Sequence, residues 1–377
     1  MALACVPLVA LGLGRFGYGL LLPSMRDALG WSYADSGVVA TANSVGYLAG
    51  ALCAPPVIRR VGLGPSVSIG SALTALTIGL TAIDGGIGWA GTMRFGSGYF
   101  GGLAFVGGGV MATQLRERGV PHALTAYPAG AGAGIALSVV SLDGLLRANR
   151  WQASWIVLGG FAALASLAVR WVAHRAIEPE TTVHPDGRPT RLPRTLFVAY
   201  GLYGLGYITF ATFAIAYLRD RGMSADGRGK FWLIVGLAAV VAAAVWPRVL
   251  DRLWAGLPLA APMLLVAVSV GVLLLSQGAP AAYVSAGLFG FAFLAAISGV
   301  ATIARRDLPP ESWSTALAVL TTWFAVGQSA GPVLAGLVGD STDGLGTALI
   351  GSICALVVGA VVAAMGTRRI TIRKGNP

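Results

Sequence analysis

The sequence predicts an all-α membrane protein, with twelve transmembrane helices in two pseudo-symmetric six-helix bundles. Three observations carry that expectation. Of 377 residues, 56% are hydrophobic and only 11% are charged, whereas soluble domains carry about 25% charged residues. Apolar runs of about twenty residues, the length that crosses a hydrocarbon core, recur along the whole chain. Patterns from the first half return in the second at an offset of about 190 residues.

Taken in order, the apolar runs cover 4–23, 34–57, 65–83, 86–114, 121–142, 152–172, 194–218, 230–250, 257–276, 281–304, 312–339 and 345–366. The fourth and eleventh are long enough to tilt or to include an interfacial turn. The first lacks a charged leader and carries Arg15 inside its apolar stretch, which predicts a retained helix rather than a cleaved signal. Between the sixth and seventh lies His174–Pro193, rich in proline and charge, an extended linker by composition. The expected domains are therefore 1–173, a linker at 174–193, and 194–377 with a short basic tail. His174 and His184 in the linker lack further ligands, and Cys5, Cys53 and Cys354 are scattered through apolar segments. No metal or cofactor is expected.

Basic residues orient the chain. With a cytoplasmic N-terminus, the inside segments hold seventeen Lys and Arg and the outside segments seven. The positive-inside rule then predicts both termini in the cytoplasm of a bacterial inner membrane, which requires an even helix count. The net charge of +11 falls in short clusters between apolar runs, with no basic stripe interleaved with aromatics. Nucleic acid is accordingly not an expected partner. The expected partners are the lipid bilayer and a small-molecule substrate, with a proton or an exchanged anion as coupling candidates, and the chain is expected to work as a monomer.

Three stretches carry the internal repeat. Arg26-Asp27 through Asp35 returns as Arg219-Asp220 through Asp226, and Gly17-Tyr18 returns as Gly206-Tyr207. Phe100-Gly101 through Arg116 matches Phe289-Gly290 through Arg305. Three matches in one register predict two six-helix repeats.

Twelve helices in two parallel halves with a central linker resemble the major facilitator superfamily over nearly the whole chain. The family's Asp-Arg-x-Gly loop between helices 2 and 3 is similar to Arg59-Arg60-Val61-Gly62, without the aspartate; its counterpart after helix 8 reads Asp251-Arg252-Leu253-Trp254, without the glycine. Arg94-Phe-Gly96-Ser-Gly98 resembles the arginine motif of helix 4, and Gly331-Pro332 a Gly-Pro hinge, here on helix 11. Gly14-Arg-Phe-Gly-Tyr with Leu22-Pro23, followed by Asn43 to Gly50, resembles the YbfB/YjiJ-like branch. The resemblance implies gating roles for Arg60, Gly62, Asp251, Arg252, Gly331 and Pro332, and a central cavity lined by helices 1, 4, 7 and 10.

Two buried charges mark the candidate site. A charge at mid-membrane costs about 2.5–3.5 kcal/mol on insertion scales, so it usually faces a wet cavity or a partner. Arg15 lies near the midplane of helix 1, and Arg94 in the outer half of helix 4. A guanidinium offers planar donors matched to carboxylate or phosphate. Each arginine either binds an anionic group or bonds helix carbonyls within one half. Tyr203 and Tyr207 share a helical face, and Tyr18 is the repeat mate of Tyr207. Asn43, Trp323 and Gln328 complete the candidates, as ligand contacts or as helix–helix contacts.

All fifteen acidic residues fall in expected loops or at helix ends. A cationic drug would want a cavity carboxylate, so an anionic or neutral solute is expected. Coupling is left to a terminal acid, to His122, or to the substrate's own protonation. The only lysines are Lys230 and Lys374, and no phosphate-binding loop is present. An intramembrane hydrolase would need a base near Ser97, and the three histidines sit at or beyond helix ends. A channel would want a ring of carbonyls or charges. The sequence therefore predicts a secondary active transporter working by alternating access and not an enzyme; an efflux pump of the same fold is the alternative.

Overall fold

The computed structural model describes residues 2–120, 122–174, 192–275, 278–309, 312–341 and 344–373. Most of the expected linker, residues 175–191 with His184, lies outside them. The described residues are helix and turn, with no strand.

Twelve long helices appear among the described residues: α1 (Ala2–Leu29), α2 (Tyr33–Val61), α3 (Leu63–Leu80), α4 (Gly86–Glu117), α5 (Ala123–Arg147), α6 (Trp151–Ala173), α7 (Arg194–Asp220), α8 (Ala225–Leu250), α9 (Leu257–Leu275), α10 (Ala279–Asp307), α11 (Trp313–Gly339) and α12 (Gly344–Arg373). Eleven are long and apolar enough to cross a membrane. The exception is α4, where ten of 32 residues are glycine and Arg94 sits in the third turn. Glycine adds no apolar side chain, so α4 is long enough without being greasy enough.

Polar punctuation sets the ends. Ser32 and Asp35 form a reciprocal capping box at the start of α2. Ser224 accepts the Gly227 amide at 3.1 Å to open α8. A single glycine, Gly62 at φ 97°, separates α2 from α3. Described carboxylates sit in turns or about one turn from a helix end: Asp27, Asp35, Asp84, Glu117, Asp143, Asp220, Asp226, Asp251, Asp307 and Asp340.

Two helices are irregular. Over Leu8–Phe16, α1 winds as a π-helix before resuming α-helix at Gly17. Such i→i+5 winding often marks functional sites, and here it carries Arg15. α10 breaks at Phe293–Leu294 into Ala279–Ala292 and Ala295–Asp307. At the break the Tyr203 hydroxyl donates to the Phe293 carbonyl, and Trp246 Nε1 donates to the Phe291 carbonyl at 2.6 Å. Side chains that take carbonyls out of the helical ladder are a recognised cause of kinks.

Small residues bring backbones together where lipid supplies no hydrophobic drive. α2 and α4 interlock reciprocally: Gly46 and Gly50 face the carbonyls of Phe95 and Tyr99, while Gly98 and Gly102 face those of Asn43 and Tyr47. A β-carbon at any of the four would overlap a carbonyl oxygen. Within 192–373, α10 packs on α8 and α9 as α4 packs on α2 and α3, and α7 packs on α11 and α12 as α1 packs on α5 and α6.

The two halves meet through α2 on α11, α5 on α8, and α1 on α7. We call the face that carries the N-terminus and the α2–α3 turn the near face, and the opposite one the far face. Polar links between the halves gather at the far face. Arg219 pairs with Asp27 and donates to the Pro23 carbonyl at 2.8 Å. Tyr33 donates its hydroxyl to Asp220, and its ring lies under the Arg26 guanidinium at 3.8 Å. Asp340, from the end of α11, accepts the amides of Tyr33 and Ala34 at 2.8 Å each. Arg147 approaches Asp226 at 3.5 Å. Deeper in, the Thr41 hydroxyl donates to the Ser329 carbonyl at 2.7 Å.

Candidate functional site

Below this far-face seal, α1, α2, α4 and α7 enclose a cavity of about 20 Å³. Arg15, Asn43, Ser44 and Arg94 line one side; Ala211 and Thr212 of α7 line the other. The volume suits one water-sized atom.

The arginines differ in how they are satisfied. Arg94 is 1% exposed and tied to α1: its Nη1 donates to the Gly14 carbonyl and its Nη2 to the Arg15 carbonyl at 3.4 Å. Ser97, one turn along α4, lies 3.5 Å from Nη1. The rings of Tyr18 and Trp155 flank the guanidinium at 5.2 and 5.3 Å, a cation–π arrangement. Arg15 is 8% exposed, yet among the described residues its side chain makes a single hydrogen bond, Nη2 to Ser44 Oγ at 2.8 Å. The Tyr47 ring lies 5.3 Å from it, and its Nε, like that of Arg94, has no acceptor among the described residues.

Outside the cavity lining, α7 and α11 share a stack of rings. Tyr200, Tyr203 and Tyr207 of α7 stack with Phe324 of α11, with centroids 4.7–6.1 Å apart. The Tyr207 hydroxyl donates to Gln328 Oε1 at 2.6 Å, and Gln328 Nε2, fully buried, has no acceptor. From α1, Phe16 meets Phe293 of α10 edge to face at 5.2 Å.

The sequence profile of the family described as "Uncharacterised MFS-type transporter YbfB" matches residues 7–364. The chain belongs to this family. Among solved structures it is similar to a bacterial homologue of the human lysosomal transporter Spinster, at TM-score 0.76 and 14% identity over 97% of this chain and 96% of that one. It is similar to a D-xylose-proton symporter at TM-score 0.77 and 13% identity, over 97% and 96% of the two chains. The nucleoside transporter NupG matches at TM-score 0.69 and 11% identity, over 100% and 99%. At these identities the likeness carries the fold. A search of curated proteins found no match. Family and fold are those of multi-pass membrane transporters of small molecules.

Within this MFS-type transporter the sequence-predicted residues separate. Arg15, Tyr18, Asn43 and Arg94 come together around the cavity, whereas Tyr203, Tyr207 and Gln328 contact one another outside its lining. Several have their polar atoms engaged within one half. Tyr18 donates to the Ser36 carbonyl at 2.9 Å, and Asn43 Nδ2 donates to the Arg94 carbonyl and Ser97 Oγ at 3.1 and 3.0 Å. Trp323 is a correction. It is 48% exposed, in line with Val319, Val326 and Leu334 on the outward face of α11, and Phe324 takes the inward place. The gating residues are spread out: Arg60, Asp251 and Arg252 are exposed in or beside turns. The α8–α9 turn is held instead by Arg306, whose Nη2 donates to the Ala255 carbonyl at 2.6 Å. The Pro332 carbonyl packs against Gly37 of α2, and Gly331 against Leu205 of α7.

Sequence reasoning missed Ser44, Tyr47, Trp155, Phe324 and Arg306 as participants. Ser97 had a signal, a hydroxyl three residues beyond Arg94 on one helical face. Ser44 and Trp155 had none, because their partners come from other helices.

Proposed function

We propose that the protein is an inner-membrane secondary transporter in which residues 1–173 and 194–377 form halves that alternate access around Arg15, the anchor for a small organic anion. The carrying observation is the contrast between the arginines. Both leave Nε without an acceptor, but Arg94 gives its two terminal nitrogens to α1 carbonyls, whereas Arg15, also buried, has one protein acceptor, Ser44 Oγ. A buried charge without a partner is costly in the membrane, and a bound anion offsets that cost.

The distribution of basic residues puts the near face in the cytoplasm, so the described state is sealed toward the periplasm. The proton or an exchanged anion supplies the gradient, and the chain acts as a monomer. The experiment is counterflow of organic anions, neutral solutes and cations in proteoliposomes, with wild type beside Arg15→Gln. Anion counterflow that Arg15→Gln abolishes supports the assignment. Unchanged anion counterflow in Arg15→Gln removes the anchor role. Fusing a reporter to the C-terminus tests sidedness: activity on the periplasmic side would reverse the orientation.

A further inference from the structure

We infer that the cavity between the arginines is a halide site, where Arg15 and Arg94 together hold one chloride-sized anion in the described, far-sealed state. This goes beyond the organic solute, which meets the same Arg15 at a wider point of the cycle.

Size comes first. The cavity, about 20 Å³, holds little more than one water-sized sphere. A carboxylate brings three heavy atoms and does not fit; a monatomic ion does. The lining then sets the charge. Arg15 and Arg94 both border the cavity, and among its described lining residues there is no carboxylate. Both side chains are buried, and each keeps an Nε–H without an acceptor among the described residues. The two are held close together, since Arg94 Nη2 donates to the Arg15 carbonyl at 3.4 Å. Their other partners are the Gly14 carbonyl and Ser44 Oγ. These bonds orient the guanidiniums, but their acceptors are neutral and leave both charges uncompensated. Two cations inside the hydrocarbon region without a counter-ion are costly. A water molecule would accept from the free N–H groups, yet it must also place two protons of its own, and a guanidinium accepts none. A halide only accepts, supplies the missing negative charge, and makes the stronger, charge-assisted kind of hydrogen bond. Thr212 of α7 brings a hydroxyl to the same lining, so the site is built from both halves. Halide and organic anion share Arg15 and therefore exclude one another, which makes the halide an ion that can return in exchange for the solute.

The test uses the purified full-length protein in detergent, with melting temperature read as sodium chloride or bromide replaces sodium gluconate. Ionic strength is held constant, which keeps the screening of exposed charges fixed. Ligands that bind only the folded protein raise the melting temperature. The wild type should show a rise that saturates with either halide, and Arg15→Gln and Arg94→Gln should each lose it. Crystals of the wild type grown in bromide should show an anomalous-scattering peak between the two guanidiniums. A wild type with no saturable rise overturns the inference, as does a rise kept in full by either variant, or bromide crystals without that peak. The halide site and the organic anchor fail separately. A halide rise that Arg15→Gln removes, beside organic-anion counterflow that it leaves untouched, keeps the halide site and removes the anchor. Counterflow lost in Arg15→Gln, with no halide rise in the wild type, keeps the anchor and overturns the halide site.

Discussion

Arg15 and Arg94 share one cavity and fail in different ways when cut. Arg94→Gln removes donors from two α1 carbonyls and a cation from between two rings. Hydrogen bonds to charged groups contribute about 1.5–3 kcal/mol each. The expected outcome is a protein destabilised by about 2 kcal/mol or more in thermal unfolding, with solute preference unchanged. Arg15→Gln loses one bond to Ser44 and should melt within a few degrees of wild type. At Tyr203 the hydroxyl serves the carbonyl freed at the α10 break, so Tyr203→Phe should cost about 1 kcal/mol, and a variant as stable as wild type would show the bond to be idle. Both arginines were legible as charges in apolar runs. Which one gives its terminal nitrogens to helix carbonyls was not, because that depends on carbonyls and rings brought in by other helices.

At the scale of elements, the lengths of the apolar runs located all twelve segments, with ends displaced where polar turns extend a helix beyond its apolar run. α8, for example, begins at Ala225 under its Ser224 cap rather than at 230. The break in α10 was illegible, since Phe293-Leu294 contains no proline or glycine; tertiary donors from Tyr203 and Trp246 make it. The π-winding of α1 likewise leaves no mark in composition. The close glycine contacts give a sharp prediction. Gly132 of α5 and Gly236 of α8 face each other across the halves, where a β-carbon on Gly132 would meet the Gly236 carbonyl at 2.6 Å. Gly132→Leu should prevent this face from closing. Thiol labelling of a cysteine placed at Thr212 from the far face should rise in that variant, and unchanged labelling would show that the interface yields elsewhere.

For the whole molecule, the far-face seal joins repeat-related residues. Arg219 reaches Asp27, and Asp220 takes Tyr33, whose ring carries Arg26. The repeat was visible in the sequence, but the exchange between its copies was not, because equivalent residues do not announce that they touch. A transporter must break this seal in each cycle. Thr41→Cys with Ser329→Cys, in a background with Cys5, Cys53 and Cys354 replaced by serine, should therefore cross-link under oxidation. Transport should fall to background and return on reduction; cross-linked protein that still transports would mean that α2 and α11 never separate.

The described carboxylates keep to helix ends, and the interior holds fixed positive charge. Among the described residues no interior acid stands ready to cross with a proton in place of the ligand's charge. A monoanion moving alone would thus be a current. A membrane potential of 100 mV acts on it with about 2.3 kcal/mol per charge, close to a fiftyfold concentration ratio at equilibrium. In a cell that is negative inside, voltage alone pushes such a solute outward. Accumulating it requires a companion proton or a returning anion, and the dependence of flux on an imposed potential would report which of these the cycle uses.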